Sequence, residues 1–261
     1  MDYWPELTDD AFLTGAIKVL QPKKGYRAGI DPVLLAASLD IQDNEHANVL
    51  DVGAGVGVAG LSVATRCLKA SVTLVEKQKV LAEIARHNIT RNRFGDRMDV
   101  KQIDLLAIDA GRTFYHSNGR QYFDHVISNP PFYDTHVIQS SKNILKADSN
   151  SMLRGALKNW IKFMAEATRP GGSATVIHLA EKLGEILQHF SLYYGSIHIQ
   201  ILYPREHEKA NRILVRGTRG SNAPLQINPG IVLHKDNNKF NPEVEQVLRS
   251  PTAWPIWSNP A

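Results

Sequence analysis

Asn48-Val49-Leu50-Asp51-Val52-Gly53-Ala54-Gly55-Val56-Gly57-Val58 is an apolar, β-prone run that empties into a turn with glycine at alternate positions. The run predicts a strand at 48–52, and the residues after the turn predict a helix at 58–67. Glycines between them let the backbone pass close to a flat or extended ligand. From residue 47 onward short β-rich runs alternate with longer helical stretches, which is the pattern of a mostly parallel sheet flanked by helices. The fold class is therefore α/β.

The further strands fall at 71–75, closing on Glu76, at 99–103, closing on Asp104, and at 123–128 and 174–178. Between them, 77–93 carries Val80, Leu81, Ile84, Ala85 and Ile89 close to one helical face. Helices are also expected at 152–168 and 181–193, with a polar loop at 134–151 and a break at Gly171-Gly172. Runs at 197–203 and 213–216 predict an antiparallel edge pair, for about seven strands in all, before a short run at 231–233 and a helix near 242–248. Upstream, Gln21-Pro22-Lys23-Lys24-Gly25 suggests a hairpin joining 17–20 to 26–28. A helix should follow, with Asp31 accepting from its free amides and Pro32 in its first turn. The expected organisation is an N-terminal extension, 1–46, packed on a core of residues 47–261 as one globular unit.

The chain has 261 residues, 43% of them hydrophobic, and 30 Lys and Arg against 26 Asp and Glu, for a net charge of +4. That balance fits a polyanionic partner without requiring one. Cys67 is the only cysteine, which excludes an internal disulfide or a CxxC metal site. The N-terminus has no signal-peptide pattern and no apolar run is long enough to span a bilayer, so a cytoplasmic protein is expected. No HExxH or histidine cluster suggests a metal. His136 reads as a solvated loop residue.

A dinucleotide fingerprint needs a third glycine at its sixth position, where this chain has Val58. The observed spacing is GxGxG with Asp51 upstream. Glu76 can present paired acceptors to two ribose hydroxyls. Carboxylates at strand ends also cap helices or stay solvated, so it is their order at successive strand ends that is informative.

Asn129-Pro130-Pro131-Phe132 closes the strand at 123–128, at the edge where open α/β sheets bind ligands. An aromatic exocyclic amine is a poor nucleophile because its lone pair is delocalised. The Asn129 side-chain carbonyl and the Pro130 backbone carbonyl can each accept one amine proton, the rigid prolines aim them, and Phe132 can stack on the base. The blander alternative is that the prolines merely end a strand and Phe132 plugs the core.

The GxGxG turn resembles the first motif of class I S-adenosylmethionine-dependent methyltransferases, and the tetrapeptide resembles the [D/N/S]PP[F/Y/W] motif of enzymes that methylate planar amines. With residues 21–37, Gln21 to Ala37, and Asn211-Arg212-Ile213-Leu214-Val215-Arg216-Gly217, the chain resembles the bacterial tRNA1(Val) adenine-37 N6-methyltransferase family. The resemblance implies a Rossmann-like methyltransferase fold, S-adenosylmethionine as cofactor and tRNA as substrate. It implies catalytic roles for Asn129, Pro130, Pro131 and Phe132. Cofactor contacts are implied for Gly29, Asp31, Asp51, Gly53, Gly55, Gly57, Glu76, Asp104 and Asn129, with Asp51 beside the positive end of the ligand and Asp104 on the adenine amino group. Lys23, Lys24, Arg27, Lys142, Lys146 and Arg212 are candidate RNA contacts. Guanine N2 of rRNA, DNA adenine or a protein glutamine are alternative acceptors, and a non-catalytic cofactor- or RNA-binding protein is the alternative of another class.

Overall fold

Val49, Leu50, Asp51 and Val52 are all buried, because this strand lies in the middle of the sheet with both faces covered. The computed structural model describes residues 5–25, 27–42, 45–107, 114, 122–131, 146–235 and 237–257. In chain order the strands are β1 (Leu7–Phe12), β2 (Ile17–Pro22), β3 (Asn48–Val52), β4 (Ser71–Glu76), β5 (Met98–Gln102), β6 (Phe123–Ser128), β7 (Thr168–Leu179), β8 (Tyr194–Tyr203), β9 (Arg212–Arg219), β10 (Gln226–Ile227) and β11 (Ile231–Val232). The α-helices are α1 (Asp31–Ala37), α2 (Val58–Arg66), α3 (Lys79–Arg91), α4 (Lys146–Ala167), α5 (Leu183–Phe190) and α6 (Pro242–Arg249).

The main sheet runs β10-β8-β9-β7-β6-β3-β4-β5, with β11 also on β8. Only β9 opposes its neighbours, pairing antiparallel with both β7 and β8. The expected antiparallel pair is thus present, but β9 is inserted inside β8, and the edge itself is made by the two-residue strands β10 and β11.

Successive strand residues point to opposite faces, and the core divides accordingly. Val49, Ile127 and Leu214 join α1, α2, α3 and α6 on one side. Leu50, Val126 and Val215 join α4 and α5 on the other. The chain winds outward from β3 through β4 to β5, then returns to β3's other side at β6 and winds the opposite way. Right-handed crossovers in opposite directions place their helices on opposite faces, and they leave a crevice beyond the C-terminal ends of β3 and β6.

Four expectations are corrected. The N-terminal hairpin exists, but β2 pairs with the preceding Leu7–Phe12, not with 26–28. Its turn runs through Leu13, Thr14 and Gly15, all at positive φ, and Pro22 is tolerated opposite Leu7 because the next bond to β1's side comes from Lys23 N–H to Glu6 O at 2.8 Å. Tyr26 lies outside the described residues. Second, Asp31 does not cap α1: Ile30 holds the cap position without a side-chain bond. Third, the loop expected at 134–151 is already helical from Lys146. Fourth, Gly171-Gly172 falls inside the span of β7, not ahead of it: the glycines lie in the segment 169–172 that the register against β6 skips, and regular pairing of the apolar run starts at Ser173.

Asn88 on α3 and Asn92 at its C-cap clasp β2 as a neighbouring strand would. Asn88 Oδ1 accepts the Leu20 N–H at 2.8 Å and its Nδ2 donates to Leu20 O at 3.0 Å, while Asn92 does the same for Lys18 at 3.0 and 2.8 Å. At the other end of the chain Trp254 is buried, its N–H donating to Ala37 O. Trp257 Nε1–H donates to Ser38 O. The tryptophan-rich tail therefore covers α1. No helix among the described residues is long and apolar enough to cross a membrane.

Candidate active site

Gly53, Gly55 and Gly57 have φ of 71°, 57° and 93°, in the left-handed region that side chains disfavour. The Gly53 and Ala54 N–H groups both donate to Val75 O, at 2.8 and 3.0 Å, which folds the turn over the end of β4. A Cβ on Gly53 would overlap the Trp160 indole. Gly57 precedes α2, and a Cβ there would meet Leu74 at 3.0 Å, so this glycine shapes the turn and does not line the cleft.

A cleft of about 700 Å³, continuous with solvent, opens above the turn and is lined by Gly53, Gly55, Glu76, Asp104, Asn129 and Trp160 among others. Glu76 is 6% exposed; its Oε2 accepts the Gly55 N–H at 2.9 Å and its Oε1 the Gln78 N–H at 2.8 Å. A carboxylate oxygen has two lone pairs, so each retains acceptor capacity for a ligand hydroxyl after these bonds hold the group in place. Asp104 accepts the Leu106 N–H at 3.0 Å, while Ile103, Leu105 and Leu81 supply apolar lining.

A second, much smaller recess, also open to solvent, lies on the other side of Gly53 and Asn129, against Ala28, Pro32 and Asp51. Asp51 is 2% exposed and accepts the Gly60 N–H of α2 at 2.9 Å. Burial pushes its carboxyl up to about 7; the Gly60 bond opposes the rise and the Glu76 charge adds to it. Buried Gln21 orients the Ala28 wall by accepting its N–H at 3.0 Å.

Asn129 lines both cavities and Pro131 the larger one, so the tetrapeptide stands at the neck between them. Pro130 is buried. Phe132 and His136 lie outside the described residues. Two contributors carry no motif. Trp160 on α4 donates its Nε1–H to Ser128 Oγ at 2.8 Å, and Asn88 Nδ2 donates to Val56 O in the glycine turn at 3.0 Å. Only their helical spacing was legible, and it marks a buried face without naming what that face meets.

Gly29 and Asp31 line neither cavity, although Ala28 and Pro32 beside them do. Asp31 instead accepts from Arg212 Nε at 2.9 Å, so a candidate cofactor ligand and a candidate RNA contact hold each other. Lys23 pairs with Glu6 at 2.6 Å, and Arg27 braces the hairpin through Asp10, Thr8 and Pro22 O. Lys24 is exposed. Lys142 lies outside the described residues, and Lys146 begins α4. Among the described residues no group of three His, Cys, Asp or Glu could hold a metal.

The family described as methyltransferase small domain matches residues 31–157. A tRNA1(Val) (adenine(37)-N6)-methyltransferase from a Flavobacteriaceae bacterium is 36% identical over 117 residues, 45% of this chain, and the match spans less than half, 46%, of that relative. The enzyme of the same name from Shewanella baltica is 30% identical over 195 residues, 73% of this chain and 76% of the relative. This chain belongs to that methyltransferase family. Its fold agrees: a predicted O-methyltransferase of known structure from Agrobacterium tumefaciens superposes with a TM-score of 0.69 at 28% identity, over 86% of this chain and 98% of that one.

S-adenosylmethionine is the cofactor of the family, and the cleft suits it. The turn places no side chain between its backbone and a ligand, Glu76 offers two acceptors for vicinal hydroxyls, and the apolar lining suits the faces of a purine.

Proposed function

We propose that this family member transfers the methyl group of S-adenosylmethionine to the exocyclic N6 amine of adenine in tRNA, at anticodon-loop adenine 37. The observation that carries the reading is the place of Asn129, at the neck shared by two cavities and directly beside Gly53. In this reading Glu76 holds the ribose hydroxyls, Asp104 the adenine edge, and Asp51 with Ala28 and Pro32 encloses the amino-acid end. S-adenosylmethionine, when bound, supplies an electrophilic methyl group.

Asn129 and Pro130 accept the two amine protons, which turns the nitrogen lone pair out of conjugation, and the prolines restrict the backbone that aims those acceptors. No group of shifted pKa is needed to deprotonate the amine before attack, because the nitrogen is neutral; the methylated nitrogen is cationic and loses one of its two protons to water after transfer. Positioning carries the rate. Phe132 stacks on the flipped base. The relatives are named as tRNA methyltransferases, which supports the acceptor class, and the side-chain amide of Asn129 supports an amine acceptor over a hydroxyl. The same reading treats residues 1–46 as an extension that completes the smaller cavity of the core, 47–261.

Labelled S-adenosylmethionine with unmodified tRNA, followed by nucleoside mass spectrometry, tests the proposal, and N6-methyladenosine at position 37 is the expected product. Asn129→Ala should cut turnover by about 10²–10³, the usual effect of losing one acceptor or donor aligned with the transition state. Methyl transfer only to rRNA guanine, DNA adenine or protein glutamine would overturn the acceptor assignment. Cofactor binding with no transfer to any of them would favour a non-catalytic role.

A further inference from the structure

Trp160, in the second half of α4, lines the larger cleft, with its indole so close to Gly53 that no Cβ fits between them. Its Nε1–H donates to Ser128 Oγ at 2.8 Å, and Ser128 Oγ–H donates in turn to Val52 O at 2.7 Å. Val52 and Ser128 are the last paired residues of β3 and β6. This run of donors therefore crosses the seam between the strand that feeds the glycine turn and the strand that feeds Asn129.

Val52 and Ser128 are 0% exposed and Trp160 8%, so water does not compete for these groups. Serine has one proton and two lone pairs, and once the proton is directed at Val52 its oxygen needs a donor. The indole N–H, a donor that cannot accept, fixes the direction of the whole relay. An aliphatic residue on this helix would fill the volume without supplying that proton.

We propose that Trp160 is a positioning residue for methyl transfer: its ring walls the cofactor cleft while its N–H, acting through Ser128, sets the backbone from which Asn129 projects. The inference rests on the methyl-transfer reading of Asn129, and it separates two functions of one side chain. Ring contact governs cofactor affinity, and the N–H governs turnover.

The test compares Trp160→Phe, which keeps an aromatic wall and deletes the N–H, with Trp160→Ala, which deletes both, and Ser128→Ala, which deletes the relay. Each is assayed at a temperature where circular dichroism shows it folded. W160F and S128A should lower kcat at saturating tRNA and cofactor about tenfold, the factor that accompanies loss of one buried hydrogen bond, with the S-adenosylmethionine Kd from calorimetry within about threefold of wild type. W160A should in addition weaken that Kd by about tenfold or more. The double variant W160F/S128A should be no slower than S128A, because both changes break the same relay.

A wild-type kcat for W160F, parallel losses of kcat and affinity in W160F, or losses that multiply in the double variant would each overturn the proposal. Hydrogen exchange without acceptor separates it from the tRNA reading. W160F and S128A should each speed exchange in the peptide 123–131 while leaving α6 unchanged. That result stands even if no tRNA is methylated, whereas unchanged exchange at 123–131 overturns the positioning role.

Discussion

Asp51 is a carboxylate that folding renders reluctant to ionise, and this makes a measurable prediction for Asp51→Asn. It sits 2% exposed beneath the glycine turn with the Gly60 N–H on one oxygen, and burial raises its pKa from 3.8 to about 7. Between those two values the folded chain holds a proton that the unfolded chain has released. Stability contributed by this group is therefore complete below pH 3.8, falls as pH rises through the window, and stops falling above about 7. Each pH unit inside the window costs about 1.4 kcal/mol, so the loss from pH 5 to pH 8 is about 2.5 kcal/mol. The substituted side chain can still accept the Gly60 N–H through its amide oxygen and carries no titrating proton. Urea unfolding of both proteins from pH 5 to pH 8 should show the variant gaining on wild type by about 2.5 kcal/mol, or roughly 5–10 °C in Tm. Titrating groups that do not interact with Asp51 cancel in the difference, and the coupled Glu76 charge is part of what it measures. A difference that stays flat to within about 0.5 kcal/mol across the range would refute a buried, proton-retaining Asp51.

Gly53→Ala combines a left-handed φ of 71° with overlap on Trp160. It should cost at least about 1–2 kcal/mol of stability in urea titration and abolish calorimetric S-adenosylmethionine binding. Glu76→Gln keeps the shape but replaces one acceptor oxygen by a donor, and the cofactor Kd should rise about tenfold in the same calorimeter, with a wild-type Kd contradicting the ribose assignment. Burial pushes the His178 imidazole down to about 4, with Lys182 adding to the effect, so the stability of its neutral form is full above pH 6.5 and is lost as pH falls toward 4. His178→Gln should flatten that acid limb in urea titrations between pH 6.5 and 4.5; an unaltered limb would exclude the assignment.

Hydrophobic pattern and local turn chemistry were enough to read β3, β6 and the order of sheet and helix between them, since β3 and β6 begin and end where the sequence places them. The strand end carrying Glu76 was legible for the same reason, whereas β5 stops at Gln102 and Asp104 lies two residues past it, not at its end as the sequence predicts. The hairpin partner was not, because Leu7–Phe12 has a polar middle, Thr8-Asp9-Asp10: its backbone is held by β2, and only Leu7 and Phe12 at its two ends pack against the core. Helical spacing placed Trp160 and Asn88 on their helices but could not say that one meets Ser128 and the other Val56.

Asp31 and Arg212 show the limit most directly. Each was assigned to a ligand, yet 181 positions apart in the chain they are 2.9 Å apart in the fold. By itself the sequence determined the glycine turn, the carboxylate closing β4 and the tetrapeptide closing β6, because glycine, proline and alternating apolar residues act on their immediate backbone. Tertiary structure alone decided that the turn and the tetrapeptide share one seam, that Trp160 joins them, and that Asp31 faces Arg212. Those are contacts between distant segments, and their energies depend on packing that no local pattern encodes.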